Sequence, residues 1–245
     1  MSRAARFWSI WTTSALLVLV AGCGGGTWQP KVEGPYLQSK LQYWLVRPHG
    51  KPKAIVVLVH GLTQDTGEQL IPWQKHLAEE GDAVIFPRYE SIPGDPTARY
   101  TIAISTFQAI DKLGDPKVPL VIVGHSRGAR LAVEASADLH PAMVISLFPS
   151  VINASFELPT DLTRIPKSTR IYLFSADHDD VVGTGGVKQL AARLRAAGRT
   201  PHVAVIHSGN GFSATHDSVY GTDAATRRVI WDRVDRLVAQ AHQPR

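Results

Sequence analysis

Short aliphatic runs recur along this chain, each followed by a stretch of helical spacing, and that rhythm most narrows the fold. Ala54–Val59 is unbroken aliphatic sequence, and Val118–Val123 is nearly so. A strand that is apolar on both faces must be covered on both faces. Further strands are expected at Leu41–Arg47, Ala83–Phe86, Met143–Phe148, Arg170–Ser175 and Val203–His207. Helices are expected at Gly67–Glu80, Thr97–Leu113, Ser126–Leu139, Val187–Ala197 and Ala224–Ala241, with Gly81 and Gly198 closing two of them. Repeated β–α alternation argues an α/β chain: a mostly parallel central sheet flanked by helices.

The 245 residues are 44% hydrophobic and 19% charged, which suits one globular domain with a sizeable core. The net charge of +5 is not gathered into a basic run interleaved with aromatics, so no nucleic-acid partner is expected. The single cysteine, Cys23, excludes an intramolecular disulfide and a zinc site built on several thiolates.

The N-terminus reads as a targeting segment over residues 1–22. Arg3 and Arg6 precede a mostly apolar stretch, Phe7 to Ala21, that is short for a bilayer span and carries Ser9, Thr12, Thr13 and Ser14. It ends in Leu19-Val20-Ala21-Gly22-Cys23. This resembles the lipobox of bacterial lipoproteins, which implies a lipid on Cys23 and a membrane partner through that anchor. Several acyl chains on one residue hold a protein stably where one does not. The resemblance implies the outer membrane if the cell is Gram-negative, because position 24 is Gly. An ordinary signal peptide with an incidental Cys23 is the alternative. Gly24-Gly25-Gly26 opens a flexible tether, 23–33, and the domain is expected over 34–245.

The strongest motif is Gly124-His125-Ser126-Arg127-Gly128, between the aliphatic run ending at Val123 and an Ala-rich helix. A sharp strand-to-helix turn exposes the central serine, and only small neighbours let strand and helix approach closely. In this setting G-x-S-x-G resembles the nucleophile elbow of the α/β hydrolases, with Ser126 as nucleophile. A glycine-rich turn with a capping serine is the bland alternative. His60-Gly61, ending the run Val56–Val59, is similar to the His-Gly pair many members of that fold carry before the nucleophile. By that resemblance the backbone N–H groups of Leu62 and Arg127 form an oxyanion hole, and His60 holds its loop.

The acid and base follow in that order in this fold. The run Ile171–Ala176 leads into Asp177-His178-Asp179-Asp180-Val181-Val182. The resemblance puts the acid at Asp179, with Asp177 and Asp180 as alternatives. The last strand leads through a glycine-containing loop to His216, the expected base, with His207 in reserve; His202 opens the strand, on the wrong edge of the sheet. His178 beside three carboxylates is a weaker metal candidate, since no second cluster has ligand spacing. No metal or organic cofactor is needed.

Pro149–Lys167 leaves too little chain for a large helical cap, so a lightly covered site is expected, with Phe148, Phe156, Leu158 and Phe212 as lining candidates and Tyr89, Tyr100 and Trp73 behind them. The resemblance implies hydrolysis of a carboxylic ester or lipid through an acyl-enzyme. Acyl transfer, thioesters and amides remain open on the same residues, as does a non-catalytic envelope lipoprotein on the same scaffold.

Overall fold

A computed structural model describes residues 28–62, 67–89, 95–151 and 160–242. Cys23 and its leader, Phe156 and Leu158 lie outside them. Eight strands form one sheet: β1 (Val32–Tyr36), β2 (Tyr43–Val46), β3 (Ile55–Val59), β4 (Ala83–Pro87), β5 (Leu120–His125), β6 (Met143–Leu147), β7 (Arg170–Ala176) and β8 (His202–Ile206). Their order is β1-β2-β4-β3-β5-β6-β7-β8. Strands β3 to β8 run parallel, and β2 pairs antiparallel with both β1 and β4.

The helices follow the expected places: α1 (Ile71–Glu79), α2 (Ala98–Lys112), α3 (Arg127–Leu139), α4 (Gly185–Ala196), and a last segment of α5 (Ala224–Thr226), a π-helical turn at Arg227–Trp231 and α6 (Asp232–Ala241). Alternation along β3 divides the core. Ile55, Val57 and Val59 pack with Ile102 and Ala109 of α2, Leu131 and Val133 of α3, and Leu190 and Leu194 of α4. Val56 and Leu58 pack with Trp73 and Leu77 of α1 and with Val234 and Val238 of α6. Each Val, Leu or Ile among these, fully buried, stabilises by about 1.5–3 kcal/mol relative to exposure. Among the described residues no helix is long and apolar enough to cross a membrane.

One element falls outside the expectations. The first strand begins at Val32, inside the stretch read as tether. The residues Val32-Glu33-Gly34-Pro35-Tyr36 lack an apolar run because this edge strand is only half covered. The expected strand over Leu41–Arg47 starts instead with a 3-10 turn at Ser39–Leu41.

The chain leaves β3 for β4 on one side and returns to β5 on the other. Loops therefore diverge at the carboxyl ends of β3 and β5, where an open α/β sheet makes its crevice. His60-Gly61-Leu62 leave one strand there, and Ser126 leaves the other.

Candidate active site

Ser126 sits between β5 and α3 with φ 55° and ψ −122°, a conformation that L-residues rarely adopt. Such backbone strain costs about 1–3 kcal/mol and persists only when its surroundings enforce it. Here Ser126 N–H donates to the Leu147 carbonyl at 3.0 Å, and the Ser126 carbonyl accepts from Ala129 and Ser150 N–H, each at 3.1 Å. The flanking glycines permit the close packing that surrounds it. A methyl on Gly124 would lie 2.3 Å from the Gly128 carbonyl oxygen, and one on Gly128 would lie 2.0 Å from that of His60. The motif's small residues are thus fixed by backbone-to-backbone contact.

The expected residues meet. His216 Nε2 is 2.9 Å from Ser126 Oγ, and His216 Nδ1 is 2.9 Å from Asp179 Oδ2. All three side chains are buried. The other carboxylate oxygen of Asp179 accepts from the N–H groups of Val181 and Val182, both at 2.9 Å. Burial pushes the Asp179 carboxyl up. The Val182 N–H, the hydrogen bond to and charge of His216, and the Val181 N–H outweigh it and hold the group below its ordinary value. Asp179 Oδ2 can only accept, so His216 Nδ1 carries the proton and Nε2 offers its lone pair to the Ser126 hydroxyl.

The alternatives stand elsewhere. Asp177 accepts from Ser208 N–H at 2.9 Å and Ser208 Oγ–H at 2.7 Å, and Ser208 Oγ accepts from Ala214 N–H. That carboxylate braces the loop that delivers His216. Exposed His207 pairs with Asp177 at 3.3 Å. Asp180 is exposed, and His178 lies 3.2 Å from Ser208 Oγ. Among the described residues no group of three or more His, Cys, Asp or Glu is placed to hold a metal.

Leu62 and Arg127 both line an open cleft of about 490 Å³ at Ser126, with Gly61, Ser150, Val181, Val182 and Tyr220. Arg127 is the first residue of α3, so its N–H has no acceptor within the helix. His60 holds its loop: its ring lies 2.6 Å from the Gly61 carbonyl oxygen and stacks on Tyr89, whose hydroxyl donates to the His60 carbonyl at 2.8 Å. Other lining candidates are packing residues. Phe148 lies buried edge-on to His125, Phe212 is buried in the core, and Trp73 stacks on Trp231. Tyr100 is exposed beside Arg99.

Two residues of the site carried no role in the sequence. His125 Nδ1 is 2.7 Å from Tyr220 Oη, and His125 Nε2 is 2.9 Å from the His216 carbonyl oxygen. His125 is the variable position of the motif, and its partner Tyr220 lies far along the chain, so no local pattern joins them.

The architecture is the α/β-hydrolase fold, and solved structures bear this out. Esterase B from Lactobacillus rhamnosis aligns with a TM-score of 0.65 and 14% identity, over 86% of this chain and 85% of that one. An α/β hydrolase from a Medee basin deep-sea metagenome library gives 0.66 and 14%, over 87% and 98%. A thermostable esterase from Pseudomonas putida gives 0.61 and 17%, over 89% and 83%. No protein-family model matches the chain. A local sequence match, 35% identical over 102 residues, joins it to a UDP-N-acetylglucosamine–N-acetylmuramyl-(pentapeptide) pyrophosphoryl-undecaprenol N-acetylglucosamine transferase of Mycobacterium avium. That match covers 39% of this chain, which spans only about a quarter of that curated relative.

Proposed function

We propose that this chain is a serine hydrolase of carboxylic esters, with Ser126, His216 and Asp179 as its catalytic triad. One observation carries the reading: a buried imidazole with one nitrogen 2.9 Å from a strained serine hydroxyl and the other 2.9 Å from a carboxylate. His216 Nε2 takes the Ser126 proton as Oγ attacks the ester carbonyl carbon. The carbonyl oxygen gains negative charge and is held by the N–H groups of Leu62 and Arg127, at the N-terminus of α3, where one such donor is worth about 3 kcal/mol. Collapse of the adduct breaks the bond to the alcohol oxygen, which takes the proton from His216 and leaves an acyl-Ser126 ester. Water, giving its proton to His216, then attacks the acyl carbon, and the carboxylic acid departs as Ser126 regains its hydrogen. Asp179 fixes the imidazole's orientation and stabilises its cation. The structural neighbours named as esterases support the same chemistry.

Purified protein is expected to release nitrophenol from p-nitrophenyl esters and to be labelled by a fluorophosphonate, both abolished in Ser126→Ala. Absence of release and labelling in the folded wild-type protein refutes the reading. We further propose that a lipid on Cys23 holds the enzyme on the bacterial envelope. Mass spectrometry of the membrane fraction should then find Cys23 acylated, and Cys23→Ser should free the protein. Retention of that variant on membranes counts against the anchor.

A further inference from the structure

The hydrogen bonds around His125 fix what the neighbouring cleft wall can recognise. A carbonyl oxygen has no hydrogen to give, so the contact from His125 Nε2 to the His216 carbonyl requires the proton on Nε2. Burial, then the charge of His216, pushes the His125 imidazole down to about 3, so it holds that proton alone. Nδ1 is therefore a bare lone pair, and the Tyr220 hydroxyl 2.7 Å away donates to it. Burial, then Asp217, holds the Tyr220 phenol above its ordinary range, so the hydroxyl keeps its hydrogen. With that hydrogen engaged, the Tyr220 oxygen has only lone pairs left to offer, and Tyr220 lines the cleft.

The position of this acceptor decides which part of a substrate meets it. A methyl placed on Gly61 would lie 3.1 Å from Tyr220 Oη and 3.4 Å from Ser126 Cβ, so oxygen and nucleophile flank one glycine. Tyr220 and Asp217 both belong to the short turn His216–Tyr220, and exposed Asp217 lines the same cleft. His216 must reach the departing alcohol oxygen to protonate it, so the alcohol portion lies against this turn. We propose that Tyr220, with Asp217 beside it, is a specificity-determining acceptor for esters whose alcohol portion carries further hydroxyl groups. The proposal names the substrate class for the triad reading above and rests on it.

The test compares glycerol monobutyrate with n-propyl butyrate, which share an acyl group, by titrating the butyric acid released. The wild-type protein is expected to favour the glycerol ester at least tenfold in kcat/KM. Tyr220→Phe removes the oxygen and keeps the ring, and the preference should then fall about tenfold, chiefly through KM on the glycerol ester. Asp217→Ala, which removes the acceptor oxygens at an exposed position, should lower the same ratio and serves where Tyr220→Phe does not fold. An unchanged ratio, with both esters slowed alike, shows that Tyr220 acts only through His125 and overturns the proposal. A wild-type ratio near one also overturns it, while butyrate release lost in Ser126→Ala leaves the triad reading standing. Release from neither ester, with no fluorophosphonate labelling, removes the triad reading and this one together.

Discussion

Replacing Asp179 by Asn tests the relay at its most informative atom. Asp179 Oδ1 accepts two backbone hydrogens, from Val181 and Val182, both at 2.9 Å. An asparagine oxygen can take both, and losing them would leave two N–H groups unpaired at a net cost of about 1 kcal/mol each. The amide is therefore locked with its oxygen on that side and its NH2 where Oδ2 now meets His216 Nδ1. Two donors cannot face each other, so His216 must shift its proton from Nδ1 to Nε2. The hydrogen then points at Ser126 Oγ, where the base needs a lone pair. A Ser-His-Asp site forced into the wrong tautomer with its geometry intact loses about 10⁴ in kcat, or about 5.5 kcal/mol of transition-state stabilisation. The assay is nitrophenol release at saturating ester, with the thermal midpoint recorded beside it. The midpoint should move little, because both backbone bonds survive. Asp180→Asn should change kcat less than threefold. A D179N protein with more than a tenth of wild-type kcat refutes the tautomer argument, and a D180N protein with the larger loss reassigns the acid.

Asp82 and Gly128 give two further predictions. Burial, opposed by the Ala54 N–H and Lys53 and helped by Asp235 and Glu80, raises the Asp82 carboxyl to about 6, with His242 Nε2 at 3.4 Å. A folded-state value above the unfolded one means that the native state keeps a proton the unfolded chain has lost. Stability from this group is full below about pH 3.8 and falls as pH rises through 6, by about 3 kcal/mol at most. Urea midpoints at pH 4 and pH 7 should show this decline in the wild-type protein and a flatter one in Asp82→Asn; parallel declines refute it. Gly128→Ala sets a methyl 2.0 Å from the His60 carbonyl oxygen and 2.5 Å from that of Val59, neither on a flexible side chain. It should cost more than about 4 kcal/mol, or displace His60–Leu62 and abolish ester hydrolysis. A G128A protein with wild-type thermal midpoint and activity contradicts the close approach.

How far the sequence discloses this molecule depends on the range of the interaction that fixes each part. Strands β3 to β6 are legible because burial on both faces leaves few choices beyond aliphatic residues, and Ile55 to Val59 feed two helical layers at once. Strand β1 is not legible, because an edge partnered on one side tolerates Glu33, Gly34 and Pro35. Gly124 announces the turn because its steric constraint, the Gly128 backbone, lies within a few residues, whereas Gly128 is constrained by the distant end of β3 at Val59 and His60. The carboxylate that meets His216 is harder to pick out, since three aspartates share one loop. Asp179 is singled out by the two N–H groups that follow it and by His216, whereas Asp177 serves Ser208 on the neighbouring loop.

The His125–Tyr220 pair marks the boundary of what pattern can reveal. Any residue satisfies the second position of G-x-S-x-G, and a tyrosine in a polar turn has no signature. Their relation arises only when β5 and the turn after β8 are brought to the same end of the sheet. There the His216 carbonyl needs a donor, the donor's other nitrogen needs a hydrogen, and a phenol is positioned to give one. Each requirement follows from the one before it, and none of them is written in spacing. The His125–Tyr220 hydrogen bond is thus a product of tertiary structure, while the strained turn at Ser126 beside it is announced by local sequence. Substrate choice accordingly hides from motif reading more easily than reaction type does, because the chemistry needs a local strained turn and recognition needs only whichever side chains the fold carries to its rim.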